Sequence, residues 1–136
     1  MSTPPTSPSV VLLTVAHRVE ASLGAALAPL GLTVSRLGLL GHISGVPGAS
    51  FSDLARMSGI SVQSVHTAVK ALVAAGLVRD GTARAGAAST IELTPDGARL
   101  LRDAMAAVDA VDVQLFGPDA DPALRQVGEV VRSAFS

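Results

Sequence analysis

The segment SFSDLARMSGISVQSVHTAVKALVAAGLVR, residues 50–79, carries the strongest structural signal in this sequence of 136 residues. After Gly59 its apolar residues recur at three- and four-residue spacing, as in an amphipathic helix. Ser50 and Asp53 have the spacing of a capping box, which predicts a helix over residues 51–57. Two short helices separated by a glycine turn are typical of a helix-turn-helix.

The second helix of this pair is predicted over residues 62–75. Ser61 stands at its N-cap position, and Gly76 follows its last turn, where glycine commonly ends a helix. The predicted buried face consists of Val62, Val65, Val69, Leu72 and Val73. The opposite face, predicted to point outward, consists of Gln63, Ser64, His66, Thr67 and Lys70.

A β-hairpin, or wing, is predicted after the helix-turn-helix. Residues 77–79 and 90–93 are typical of short strands, and the Gly/Ala-rich residues 81–89 connect them. Arg79 and Arg84 lie in or beside this hairpin, where a guanidinium can enter a minor groove or contact the DNA backbone. The alternative interpretation is that both are solvated loop arginines.

Two predicted helices precede the helix-turn-helix and two follow the wing. The first covers residues 10–30, and Thr33 is placed to cap the second. Thr94-Pro95 predicts the start of a long helix that ends at Gly117-Pro118, and Asp121-Pro122 repeats the same start signal for the last helix.

The fold class predicted from this order is mainly α with a small β-wing, a winged helix-turn-helix. We expect a disordered tail over residues 1–9 and a single domain over 10–136, with the DNA-binding part at 33–94. The terminal helices, at 10–30 and 95–136, carry more apolar surface than a solitary helix can expose, which predicts a homodimer. Two-fold symmetry in turn predicts a palindromic operator.

Composition excludes several classes of function. There is no cysteine, so the sequence offers no disulfide, thiolate metal site or thiol redox switch. No nucleophile has an evident base, no glycine-rich phosphate loop is present and no His/acid cluster has metal-ligand spacing, so we expect neither an enzyme nor a bound cofactor or metal. Uninterrupted apolar runs are too short for a bilayer, and a cytoplasmic protein without a membrane span is expected.

Charge is unevenly distributed along the chain. The net charge of −1 argues against binding nucleic acid by bulk electrostatics, but residues 50–94 carry +1 and residues 95–136 carry −3. The middle of the chain can therefore approach phosphate. Arg36 and Arg56 could contact phosphate or form surface ion pairs, Arg56 with Asp53 for example.

The outward face of the second helix has side chains suited to reading DNA. Gln63 can pair bidentately with adenine, a threonine methyl can pack on thymine, and Lys70 can contact phosphate. The alternative is an ordinary solvated face, although the Glu/Lys pairs usual on such a face are missing. The candidate DNA-contacting residues are Ser61, Gln63, Ser64, His66, Thr67, Lys70, Arg79 and Arg84.

The order and spacing of several short motifs resemble the MarR family from about Val10 to the last helix. These motifs are Leu30-Gly31-Leu32-Thr33 with Leu39-Leu40, Phe51-Ser52-Asp53-Leu54-Ala55, Ile60-Ser61 followed by Val65 and Val69, Leu72 with Gly76-Leu77-Val78, and Leu93-Thr94 with Gly97. Each piece recurs in other winged helices. Their combined order is what is specific.

The resemblance implies a dimer built from the first and the last two helices, with the fourth helix in the major groove and the wing over the minor groove. It also implies a repressor that is relieved by a small-molecule effector, often aromatic or anionic. The sequence departs from the family pattern in the wing, where Ala85-Gly86-Ala87 replaces the usual Asp-x-Arg motif. Weak or strongly salt-sensitive DNA binding is therefore expected.

An effector site is predicted in segments that line the family's pocket. The candidate ligand-binding residues are His17, Leu39, His42 and Met57, with Leu13 as a further apolar neighbour. Two histidines could hold an anionic ligand, but partly exposed structural histidines are more common. The alternative function is a winged-helix dimer that acts as a protein-interaction or antirepressor module with little DNA affinity.

Overall fold

The computed structural model describes residues 6–81 and 91–136. Within these residues six α-helices and one two-stranded antiparallel sheet form a winged helix-turn-helix, which confirms the predicted fold class. The elements are α1 (Pro8–Leu27), a 3₁₀ turn (Ala28–Leu30), α2 (Val34–Gly45), α3 (Phe51–Ser58), α4 (Val62–Ala74), β1 (Val78–Asp80), β2 (Ile91–Leu93), α5 (Pro95–Phe116) and α6 (Pro122–Phe135).

Side-chain caps fix where the helices begin. The predicted caps are confirmed at Thr33, Ser50, Ser61, Thr94 and Asp121. α1 begins two residues earlier than predicted, because the Ser7 hydroxyl accepts a hydrogen bond from the Val10 amide at 3.4 Å and Pro8 suits the first helical position. Ser7, Pro8 and Ser9, which were predicted to belong to a disordered tail over residues 1–9, therefore form the capped start of α1, and residues 1–5 lie outside the described residues.

The turn between α3 and α4 depends on a left-handed glycine. Gly59 has φ +68°, a conformation that side chains with a Cβ rarely adopt, and the next amide, of Ile60, donates to the Ala55 carbonyl at 3.2 Å. The Ser61 hydroxyl then caps α4 by accepting from the Ser64 amide at 3.0 Å. The predicted glycine turn of the helix-turn-helix is thus confirmed.

The core lies between α2, α3, α4, the sheet, the end of α1 and the first half of α5. Leu40, Leu54 and Leu72 are among the side chains that are fully buried there. The predicted buried face of α4 is wider than the observed one: Val62 and Val73, which lie in its end turns, are 42% and 40% exposed. The residues of α4 that are buried are Val65, Val69 and Leu72.

The start of α5 is attached directly to the end of the helix-turn-helix. The Thr94 amide donates to the Leu77 carbonyl at 3.0 Å, and the Thr94 hydroxyl donates to the Gly76 carbonyl at 2.6 Å. A Cβ at Gly97 would overlap with the Leu77 carbonyl oxygen, so the close approach requires glycine. The two strands also meet here, with Val78 opposite Leu93 in the register.

The terminal helices pack on one another and leave apolar surface exposed. α1 and α6 each contact α5, and α1 has only Leu27 fully buried among its 20 residues. The large apolar side chains exposed on these three helices are Val10, Val11, Leu12, Leu13, Met105, Val113, Val130, Val131 and Phe135. This surface agrees with the expectation from sequence that the terminal helices have apolar surface to bury against a partner.

Within residues 6–81 and 91–136, one helical segment meets the length and composition criteria for crossing a membrane. Pro8–Leu30 has a mean hydropathy of 1.5 over an 18-residue window, although polar residues interrupt its apolar runs. Arg18 and Glu20 lie near the middle of the segment, where charge in a bilayer is costly. Length and composition alone are weak evidence for a membrane span, because helices in soluble proteins meet the same criteria.

Candidate nucleic-acid interface and ligand cavity

The outward face of α4 brings four of the predicted DNA-contacting residues together. Gln63, His66, Thr67 and Lys70 line one groove, and α3 and the first strand supply its other walls. The remaining lining residues are Phe51, Val69, Val73 and Asp80. One side of the helix-turn-helix therefore presents an amide, an imidazole, a hydroxyl and an ammonium group along a continuous surface, with the acidic residue Asp80 at its β1 side.

Hydrogen bonds within α4 define what its hydroxyl groups can still do. Ser61 accepts from the Ser64 amide and donates its own hydrogen to the Ser64 hydroxyl at 2.8 Å, so Ser61 acts as a cap. Ser64 keeps a hydrogen to donate. Thr67 donates to the Gln63 carbonyl at 3.1 Å, which leaves its methyl group and an acceptor lone pair available.

The His66 imidazole is stacked on an aromatic ring. Its centroid lies 3.8 Å from that of the Phe51 ring, and the two planes are inclined by 17°. Phe51 is the first residue of α3, is half-buried and packs against the core. One face of the imidazole is thus covered, although His66 as a whole is exposed.

The predicted wing and helix arginines lie in different surroundings. Arg79 on β1 is 3.9 Å from Glu92 on β2, an exposed pair that constrains the guanidinium little. Arg84 and the Ala85-Gly86-Ala87 segment lie outside the described residues. Arg56 pairs with Asp53, the ion pair considered from the sequence.

The capping box at the start of α3 also involves this ion pair. Hydrogen bonds from the Ser50 backbone amide and hydroxyl lower the pKa of Asp53, and the Arg56 guanidinium lowers it further. Asp53 is therefore held in its charged form at the first turn of α3, where a helix dipole favours negative charge.

A cavity of about 240 Å³ lies between α2, the end of α3 and α4. It contains three of the four ligand-binding residues predicted from the sequence, Leu39, His42 and Met57. The fourth, His17, is not among the lining residues: its side chain is 80% exposed on α1, with Nδ1 3.9 Å from a Glu20 carboxylate oxygen. The other lining residues are Val34, Ser35, Arg36, Gly38, Ser58, Ile60 and Ala68.

Three polar residues of the cavity, Ser35, Arg36 and Ser58, were not assigned to it from the sequence. The Ser58 hydroxyl is buried and has no hydrogen-bond partner among the described residues, which is a costly state for a polar group. Arg36 was considered only as a phosphate contact or a surface ion-pair partner. Its position could have been found, because Arg36, Leu39 and His42 follow one another at three-residue spacing on α2.

Comparison with known proteins gives a family for this chain. A sequence profile described as the MarR family matches residues 30–86. The HTH-type transcriptional repressor Rv2887 of Mycobacterium tuberculosis is 32% identical over 117 residues, which are 85% of this chain and 84% of the repressor. The chain belongs to the MarR family. The resemblance identified from the sequence motifs is thereby confirmed.

Solved structures of this MarR-family repressor agree with that assignment. The crystal structure of the M. tuberculosis MarR family protein Rv2887 in complex with DNA matches with a TM-score of 0.79 at 27% identity, covering 97% of this chain and all of that one. Its complex with salicylic acid matches with a TM-score of 0.74 at 27% identity, covering 96% and 97% of the two chains. These MarR-family structures thus share nearly the whole architecture of this chain.

Proposed function

We propose that this chain is a homodimeric, sequence-specific repressor that binds a palindromic operator in double-stranded DNA and is released by a small-molecule effector. The observation that carries the proposal is the groove on α4, where Gln63, His66, Thr67 and Lys70 lie side by side after a glycine turn. Rv2887, a relative that is named as a repressor and was crystallised with DNA, supports it.

Several polar residues of α4 and its cap have distinct roles in this proposal. Gln63 pairs with an adenine edge, and the Thr67 methyl packs on thymine. Ser64 donates its remaining hydrogen to a base or phosphate, while Ser61 acts indirectly as the cap. Lys70 contacts phosphate, and so fixes orientation without reading sequence.

The small number of cations sets the expected salt dependence. Among the described residues, the candidate cations Lys70 and Arg79 of two protomers together supply four phosphate contacts. With a slope of about −0.9 per contact, log K should fall with log salt concentration with a slope of about −3.6. Lys70→Ala should reduce the magnitude of this slope by about 1.8, because it removes one contact from each protomer.

The test is a fluorescence-anisotropy titration with the DNA upstream of the protein's own gene, against random duplex, at several salt concentrations. Lys70→Ala should weaken binding to all sequences, whereas Gln63→Ala should relax the preference at one base pair by about 1–3 kcal/mol. Arg132→Ala, which removes a cation from α6, is the matched control and should leave the salt slope unchanged.

Absence of any sequence preference, even at low salt, would contradict the DNA-binding proposal. The net charge of −1 and the acidic C-terminal part would then favour the alternative function, a protein-interaction or antirepressor module. Equal operator binding by wild type, Lys70→Ala and Gln63→Ala would instead show that another surface contacts DNA.

Dimerisation through α1, α5 and α6 is the second part of the proposal. Leu12 and Leu13 are 60% and 63% exposed on α1, and no partner within the described chain covers them. Light scattering at micromolar concentration should give the mass of a dimer. Replacing both leucines by serine should weaken the dimer, whereas Val46→Ser, which changes a similarly apolar exposed residue between α2 and α3, should not.

The cavity between α2, α3 and α4 is the proposed effector site. Its volume of about 240 Å³ exceeds the roughly 150 Å³ cavity known to hold benzene, so a ring with small substituents fits. Leu39, Met57 and Ile60 supply apolar contacts for a ring, while Arg36, His42 and Ser58 offer donors to a carboxylate. The salicylic acid complex of Rv2887 supports an aromatic acid as the ligand class.

Salicylate titrated into the protein–operator complex tests this site. We expect the apparent dissociation constant for DNA to rise with salicylate, and the same factor to weaken salicylate binding when DNA is present. His42→Ala should abolish the response, whereas His17→Ala, on the exposed side of α1, should keep it. A response that survives His42→Ala but is lost in His17→Ala would place the ligand elsewhere.

A cytoplasmic regulator without catalytic activity completes the proposal. The relatives that match the chain are named as transcriptional repressors, which act on DNA. The apolar α1 segment is assigned to the dimer interface instead of a bilayer, because Arg18 and Glu20 interrupt it near its middle.

A further inference from the structure

The stack between Phe51 and His66 joins two helices at the edge of the groove on α4. The imidazole belongs to the exposed face of α4, whereas the phenyl ring belongs to α3 and rests on the core. The centroid separation of 3.8 Å with planes inclined by 17° is a close face-to-face contact. Such a contact covers one face of the imidazole and restricts the rotation of its ring.

Phe51 is itself firmly held. The Ser50 hydroxyl accepts from the Asp53 amide at 3.0 Å, and the Asp53 carboxylate accepts from the Ser50 amide at 3.1 Å, so both ends of the first turn of α3 are fixed. The phenyl ring packs against the hydrophobic core on its inner side. The imidazole thus lies on a rigid platform although His66 is exposed to solvent.

A fixed ring plane fixes the directions of hydrogen bonding. Imidazole nitrogens donate and accept in the plane of the ring, so a ring that is held by stacking also has its N–H direction restricted. An unrestrained histidine would have to be ordered on binding, at the cost of about two- to tenfold in affinity for one immobilised side chain. Stacking on Phe51 removes part of that cost beforehand.

We propose that Phe51 positions the His66 imidazole for donation of a hydrogen bond to a purine N7 in the major groove. The inference rests on the proposed DNA-binding function and deepens it. His66 is then a specificity-determining residue that favours purine at one position, because adenine and guanine both present an N7 acceptor there. Phe51 is a positioning residue that does not itself touch DNA.

A double-mutant cycle on the operator tests this proposal. His66→Ala should abolish the purine preference at one position. Phe51→Leu, which keeps an apolar side chain but removes the ring, should weaken operator binding about two- to tenfold and reduce the same preference. On the His66→Ala background, Phe51→Leu should have no further effect. Phe51→Tyr keeps the stacked ring and should behave like wild type.

Lys70→Ala provides a reference cycle. Its loss of affinity should simply multiply with that of Phe51→Leu, because a phosphate contact by a flexible ammonium group does not depend on the stack.

The stack can also be followed without DNA. In the free protein, the NMR shift that the phenyl ring current gives the imidazole protons of His66 should disappear in Phe51→Leu and persist in Phe51→Tyr.

The outcomes separate the inference from the proposed function. If the wild type selects no sequence, both fail together. If the wild type is selective but Phe51→Leu costs as much on the His66→Ala background as on wild type, only the positioning role is wrong. If His66→Ala retains the purine preference, the base contact is wrong. Should Phe51→Leu fail to fold, as judged by circular dichroism, the comparison of Phe51→Tyr with His66→Ala still tests the base contact.

Discussion

Replacing Gly97 by alanine should destabilise the protein, although alanine is the better helix former. Gly97 lies in the first turn of α5 and is buried against Leu77. An added Cβ would overlap with the Leu77 carbonyl oxygen and lie 2.9 Å from its carbonyl carbon. The obstacle is backbone, which cannot rotate away as the end of a flexible side chain can.

The size of the effect follows from what must move. Inserting a methyl group into a packed site costs about 1–3 kcal/mol, and shifting the Leu77 carbonyl weakens its bond to the Thr94 amide, worth about 0.5–1.5 kcal/mol. Against this, alanine gains up to about 1 kcal/mol in helix propensity over glycine. The free energy of unfolding should therefore fall by about 2 kcal/mol, which lowers Tm by about 4–8 °C for a chain of this size.

The assay is urea unfolding followed by circular dichroism at one fixed protein concentration, since a dimer's stability depends on concentration. Gly41→Ala is the matched control: Gly41 lies in the exposed middle of α2, and a Cβ there would meet no atom within 4 Å. We expect Gly41→Ala to raise the free energy of unfolding by about 0.5–1 kcal/mol. A Gly97→Ala variant as stable as Gly41→Ala would refute the argument from close packing at the α4–α5 junction.

Three further predictions concern helix docking and capping. Gly128→Ala on α6 should lower the free energy of unfolding, measured in urea titrations, by about 1 kcal/mol. The new Cβ would lie 2.8 Å from the Phe116 Cβ, and the cost of this overpacking exceeds the gain in helix propensity. Thr94→Ala should lower the free energy of unfolding by about 1 kcal/mol more than Thr33→Ala in the same assay, because only Thr94 also donates a hydrogen bond to the Gly76 carbonyl. Both residues cap a helix, so equal losses of stability would contradict this prediction. Asp53 has a folded-state pKa below its unfolded value, so its contribution to stability is present above about pH 4 and is lost as the pH falls through the folded-state pKa. The stability of Asp53→Asn should accordingly change less than that of wild type between pH 6 and pH 3, and parallel pH profiles would show that the capping box does not contribute.

The helix boundaries could be predicted from sequence because they depend on local chemistry. Ser50 with Asp53, and Thr94 with Pro95, specify caps through residues a few positions apart, and the structure contains the corresponding hydrogen bonds. The extent of the buried face of α4 could not be predicted, because it depends on where the neighbouring helices lie. Val62 has the spacing of a core residue and is nevertheless 42% exposed.

The candidate site was only partly predictable for the same reason. The outward face of α4 follows from helical period, and Gln63, His66, Thr67 and Lys70 do line one groove. The Phe51–His66 stack joins residues 15 positions apart on different helices, and no local pattern indicates it. Similarly, the resemblance to the family placed His17 and His42 in one ligand site, whereas the packing of α2 against α3 brings Arg36 and Ser58 to the cavity with His42.

The cavity and the groove share one helix, and this links the two proposed sites physically. Ala68 lines the cavity, while its neighbour Thr67 lines the groove, because successive residues of a helix point about 100° apart. A ligand that widens the space between α2 and Ala68 by displacing α4 would move the helix as a body, since the helix is closed by its own hydrogen bonds. Such a ligand can weaken DNA binding only to the extent that it prefers the displaced position of α4. Enlarging residue 68, as in Ala68→Val, should therefore lower the affinity for the operator in the absence of any ligand. If effectors instead act only by blocking DNA with their own bulk, ligand-free Ala68→Val should bind the operator as tightly as wild type.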